Sequence, residues 1–115
     1  MIPRGVEIFV AIEPIDLRWS FDRLSGVVAS VVGRDARCGA LFVFVGKRKD
    51  ACKVLFFDGS GLCQFYKRLD RGVFVLPDPD PGETQVALAE WQLDALLDGI
   101  EVAPRPNRPK KPPLH

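Results

Sequence analysis

Residues 41–76 constrain the fold most tightly, because four short apolar or alternating runs follow one another there with only brief polar breaks. The runs are Leu41-Phe42-Val43-Phe44-Val45, Lys53-Val54-Leu55-Phe56-Phe57, Leu62-Cys63-Gln64-Phe65-Tyr66-Lys67-Arg68 and Val73-Phe74-Val75-Leu76. β-Branched and aromatic side chains dominate them, and their length suits strands better than helices. Each break contains Gly and is short enough to join antiparallel neighbours. Asp58-Gly59 is the strongest turn signal, since Gly accepts the positive φ that tight hairpins need. The stretch predicts a four-stranded antiparallel meander, with closure into a small barrel left open.

The flanks supply the rest of an α+β fold. Val6, Ile8, Val10 and Ile12 alternate with Glu7, Phe9 and Ala11 as an N-terminal strand that Pro14 stops. Asp16 or Ser20 can then cap a helix running to about Val32, with Gly33 as its C-terminal cap. Leu17, Phe21, Leu24, Val28 and Val31 give that helix one apolar face, which is expected to cover the sheet. Prolines at 77, 79 and 81 cannot continue a ladder and form a stiff exit from the sheet. A second helix is expected over about 89–98, with Leu93, Leu96 and Leu97 at core spacing and Gly99 as its stop. Residues 1–103 read as a single α+β domain and residues 104–115 as a basic, Pro-rich flexible tail.

In 115 residues no apolar run approaches the roughly 20 a membrane span requires. The start of the chain carries no signal-peptide pattern, and three cysteines without paired spacing argue against a disulfide framework. A reducing, cytoplasmic home follows. The net charge of +1 conceals strong segregation. Residues 34–76 hold Arg34, Arg37, Lys47, Arg48, Lys49, Lys53, Lys67, Arg68 and Arg71 against four acids, whereas residues 77–103 hold seven acids and no Lys or Arg. Such polarity points to charged partners.

Catalysis finds little support in these residues. The sole histidine is His115, at the chain end, where nothing can orient it as a proton shuttle. Asp58-Gly59-Ser60-Gly61 resembles the start of an oxygen-ligand metal loop but lacks the following acids, so a hairpin turn is the better reading. The chain is therefore read as a non-enzyme with no catalytic residue, no metal site and no cofactor. Nucleic-acid contact is better motivated: Lys47, Arg48, Lys49 and Lys53 fall at one hairpin and Lys67, Arg68 and Arg71 at another, with Phe65 and Tyr66 nearby. Cations on a β-ribbon neutralise phosphates in a salt-sensitive manner. A solvated basic rim that merely keeps edge strands from pairing explains the same residues.

Several motifs resemble the small TnpB-type accessory protein of insertion sequence family 66, the second open reading frame of those bacterial mobile elements. They are Gly39-Ala40-Leu41-Phe42-Val43-Phe44, Asp58-Gly59-Ser60-Gly61-Leu62-Cys63 and Tyr66-Lys67-Arg68-Leu69-Asp70-Arg71-Gly72-Val73-Phe74. Asp16-Leu17-Arg18, Phe21-Asp22 and the closing Leu96-Leu97-Asp98-Gly99-Ile100 fit it too. The resemblance covers roughly residues 6–101. It implies an accessory role in transposition, beside a separate transposase that carries the strand-transfer chemistry. DNA and that transposase are the expected partners, and an exposed edge strand would invite a homo-oligomer. A protein-interaction module with no direct DNA contact is the alternative. The family commonly carries Thr-Pro where this chain has Ala89-Glu90, and losing the Thr removes an N-cap worth about 1 kcal/mol.

Overall fold

The computed structural model describes residues 5–100. Eight elements follow in order: β1 (Ile8–Ala11), α1 (Phe21–Val27) continued by a π-helical turn (Val28–Val32), β2 (Leu41–Val45), β3 (Ala51–Phe57), β4 (Leu62–Arg68), β5 (Gln85–Leu88) and α2 (Glu90–Leu97). The strands form one five-stranded sheet in the order β4-β3-β2-β1-β5. β1 lies parallel to β2, and the other neighbours are antiparallel. A parallel pair needs a crossover, and α1 provides it.

Both faces of the sheet are covered, so β1 and β2 are buried along their whole lengths. On one face Leu24 of α1 and Val28 of the π-helical turn pack on Phe9, Ala11, Phe42, Phe44 and Leu55. Phe9 and Phe42, neighbours across the parallel pair, stack with ring centroids 5.8 Å apart. On the other face Leu93, Leu96 and Leu97 of α2 close over Ile8, Val10, Leu41, Val43, Val45, Cys52 and Val54. The β-branched run of Val27, Val28, Val31 and Val32 suits a regular helix poorly. The last turn of this helix widens, and Gly33 ends it in the left-handed conformation at φ 75.

Several expectations need correction. Residues 73–76 are not a fourth meander strand. Phe74 is buried in the core on the α2 side, but Val73 and Val75 are exposed and the prolines beyond prevent a ladder. The place of that strand is taken by β1 and by β5, whose four residues pair with β1 from Ile8↔Leu88 to Ala11↔Gln85. The sheet is thus mixed and five-stranded, and it does not close into a barrel. Ser20 sits at the N-cap of α1 without a side-chain cap bond, and Asp16 lies before the helix, accepting the Arg18 N–H at 2.9 Å. At α2 the Ala89 N–H donates to Gln92 Oε1 at 2.8 Å, which is half of a capping box, since Ala offers no acceptor in return. The basic tail expected over residues 104–115 lies outside the described residues. No helix among the described residues is long and apolar enough to cross a membrane.

Candidate nucleic-acid interface

The β2–β3 hairpin is shaped by two backbone requirements. Gly46 pairs with Ile15 and sits so close to Leu17 that a Cβ there would lie 2.6 Å from Leu17 Cδ1. Lys49 adopts φ 62 and donates its N–H to Gly46 O at 2.9 Å, closing the turn. This leaves Lys47, Arg48 and Lys49 exposed at the tip.

The chain leaving β4 is tied to that hairpin. Leu69 N–H donates to Asp50 O at 2.8 Å and Phe74 N–H to Lys49 O at 2.6 Å. The two basic loops therefore share one end of the sheet. Alternation then divides the cations between faces. Arg68 and Tyr66 lie opposite Ala51 and Lys53, on the α1 side, while Lys67 lies opposite Cys52, on the α2 side.

An open groove of about 610 Å³ runs along the α1 side of this end. Lys47 and Arg48 come to it from the hairpin, Tyr66 and Arg68 from β4, and Asp16, Leu17 and Arg18 from the β1–α1 connection. Its floor is apolar, with Ile15, Gly46 and Ala51 buried. Tyr66 is 49% exposed, a ring standing among cations. Two carboxylates, Asp16 and Asp50, also line the groove, against four cations. Asp16 grips Arg18 in a forked pair, with Nη2 to Oδ2 at 2.7 Å and Nε to Oδ1 at 3.0 Å. The Arg18 side chain, the Arg18 N–H and the nearby Lys47 charge hold the Asp16 carboxyl well below the usual carboxylate range.

Of the seven residues named from sequence, Lys47, Arg48 and Arg68 line the groove, and Lys49 and Arg71 are exposed in the two adjoining loops. The other two have internal partners. Lys53 Nζ donates to the Trp19 carbonyl at 3.1 Å, and Lys67 Nζ lies 3.6 Å from Oδ1 of Asp98, just past the end of α2. Arg34, at the other end of β1, pairs with Glu7. Arg18 is a groove residue that the sequence does not single out, because a helix capped by Asp16 would carry it on or beside its solvent face. The Asp16-Leu17-Arg18 motif, two residues past a strand-stopping Pro, was the available signal.

The Asp58 loop is a tight turn. Asp58 Oδ1 accepts the Ser60 and Gly61 N–H groups, each at 3.0 Å, and these bonds hold its carboxyl at about 2, against an ordinary 3.8. No group of three or more potential metal ligands occurs among the described residues.

The family described as IS66 Orf2-like protein matches residues 6–107. The chain belongs to that family. It is 40% identical to the uncharacterised protein y4hO of Sinorhizobium fredii over 103 residues, covering 88% of each chain. It is 34% identical to the uncharacterised protein y4jC of the same organism over 110 residues, covering 96% of this chain and 92% of that one. No solved structure matches. Membership makes the protein a transposition-associated accessory protein of the IS66 type.

Proposed function

We propose that this IS66 Orf2-like protein is a non-catalytic accessory factor that holds DNA by its phosphate backbone in the groove between the β2–β3 hairpin and β4. The observation that carries the reading is the convergence of Lys47, Arg48 and Arg68 around the exposed ring of Tyr66, beside the Arg18–Asp16 pair. Fixed cations over an apolar floor suit a polyanion, and an upright aromatic suits a base or sugar face. Nothing in the groove pairs a nucleophile with a base, which favours holding over cutting. If the three cations without a carboxylate partner in the groove meet phosphates, the logarithm of affinity falls with a slope near −2.7, or about 40-fold between ~50 and ~200 mM salt. Fluorescence anisotropy on a linear duplex measures this. Arg48→Ala and Arg68→Ala should each reduce the slope by about 1. Absent binding, or binding indifferent to salt, removes DNA from the proposal.

A second reading, docking on the transposase of the same element, is favoured by a different surface. Trp91 is 52% exposed on α2 next to Glu90 and three residues from Asp94, an aromatic anchor among carboxylates. Capture of the transposase that disappears in Trp91→Ala, with salt-dependent DNA binding intact, would show that the two surfaces serve different partners.

A further inference from the structure

The two edges of the sheet differ in how they are guarded. β5 is four residues long, follows a Pro-rich segment, and is flanked by Asp78, Asp80, Glu83 and Glu90. Short length, nearby prolines and charge are the usual defences of an edge. β4 has seven residues, contains no Pro, and pairs with β3 from Ala51↔Arg68 to Phe57↔Leu62 without a bulge. Its two cations, Lys67 and Arg68, both lie at its C-terminal end, and Lys67 is turned toward Asp98 on the α2 side.

The phase of the ladder shows what this open edge offers. Asp58 N–H donates to Gly61 O, and Leu69 N–H donates to Asp50 O. Hydrogen-bonded pairs alternate in an antiparallel ladder, so Cys63, Phe65 and Lys67 direct their backbone groups to β3. Leu62, Gln64, Tyr66 and Arg68 direct theirs outward.

We propose that β4 is a self-recognition edge, pairing antiparallel with β4 of a second copy of this chain about a two-fold axis at Phe65, so that two five-stranded sheets become one. In this register Gln64 faces Tyr66 and Leu62 faces Arg68, so all four outward residues exchange both of their backbone bonds. Phe65 meets Phe65 as a non-hydrogen-bonded pair, the closer kind, on the half-buried α2 side. Cys63 faces Lys67, and no cation faces another. A shift of four residues toward the strand end, centred on Lys67, sets Lys67 against Lys67 and breaks that complementarity. A shift of two in the other direction, centred on Gln64, leaves Arg68 without a partner in the strand. Because the contact is isologous it closes at two copies instead of growing into a fibre. The two-fold axis is perpendicular to the sheet, so both Arg68 side chains stay on the α1 side, about 20 Å apart along the strands. The pairing stands independently of what the groove binds.

Light scattering coupled to size exclusion, run across a dilution series, tests it. Wild-type protein should show twice the 12.8 kDa chain mass at the concentrated end and dissociate on dilution. Gln64→Lys combined with Tyr66→Lys puts Lys against Lys twice and should give the monomer mass throughout, with far-ultraviolet circular dichroism unchanged. Phe65→Cys in a Cys38→Ser, Cys63→Ser background should yield a disulfide-linked dimer under mild oxidation. The proposal is overturned by a monomer at every concentration, by an open-ended polymer, or by a dimer that survives the double Lys variant. A dimer that the Cys at position 65 cannot trap overturns it as well.

Discussion

Replacing Gly46 by Ala should loosen the base of the hairpin, and the cost can be worked from two distances. The added methyl would lie 2.6 Å from Leu17 Cδ1 and 3.0 Å from Leu17 Cγ. Carbon atoms rest at about 3.5–4.0 Å, so the half-buried Leu17 side chain must retreat by roughly 1 Å. Overpacking of this kind costs about 1–3 kcal/mol. Gly46 is not in the left-handed region, so Ala also restricts the unfolded chain and returns about 0.4–1 kcal/mol. The net loss is about 1 kcal/mol, or a fall in Tm of about 4–8 °C for a chain of this size. Differential scanning calorimetry reads it directly. The cause is isolated by a double-mutant cycle with Leu17→Ala, which opens the space that the methyl needs. Gly46→Ala should be nearly harmless in that background, a coupling of about 1 kcal/mol. Additivity within about 0.5 kcal/mol, or a Gly46→Ala protein as stable as wild type, would refute the close-contact reasoning.

Ala89→Thr should raise stability by about 1 kcal/mol in urea denaturation, because residue 89 is already extended (φ −77, ψ 161) and Gln92 already completes the other half of the box. Asp58 contributes stability only while ionised. Its carboxyl is held at about 2 against an ordinary 3.8, so that contribution is complete above 3.8 and is lost as pH falls toward 2. Asp58→Ala should therefore flatten the stability curve over that window, measured by urea titration at each pH. Thiol labelling at neutral pH should modify the exposed Cys38 first. Cys52, buried with its thiol pushed up to about 11, should react only as the protein unfolds, which timed mass spectrometry can follow.

Periodicity made both helices and strands β1 to β4 legible, although of the apolar face expected for the first helix only Leu24 and Val28 are buried and Phe21 is exposed. β5 was not read. Gln85-Val86-Ala87-Leu88 is too short to stand out beside the prolines that precede it, and only its pairing with β1 makes it a strand. Residues 73–76 show the converse: Val73-Phe74-Val75-Leu76 has strand composition, yet it crosses the end of the sheet with Phe74 buried and Leu76 half-buried against the core. Parallel pairing of β1 with β2 left no local mark, since it depends on where α1 returns the chain. The basic groove was legible in part. Charge counting located Lys47, Arg48 and Arg68, but it could not separate them from Lys53 and Lys67, whose charges are taken up by Trp19 and Asp98.

The sheet order puts the N-terminal strand in the interior, where Ile8 pairs with Leu88 from near the opposite end of the chain. A nascent polypeptide emerging from the ribosome must therefore carry β1 with one bare side until residue 88 has left the exit tunnel. Truncated products ending before β5 would expose that side permanently, and a chaperone or a second unfinished chain could take it. Emergence of β5, not the first appearance of hydrophobic segments, is thus the event that completes the sheet.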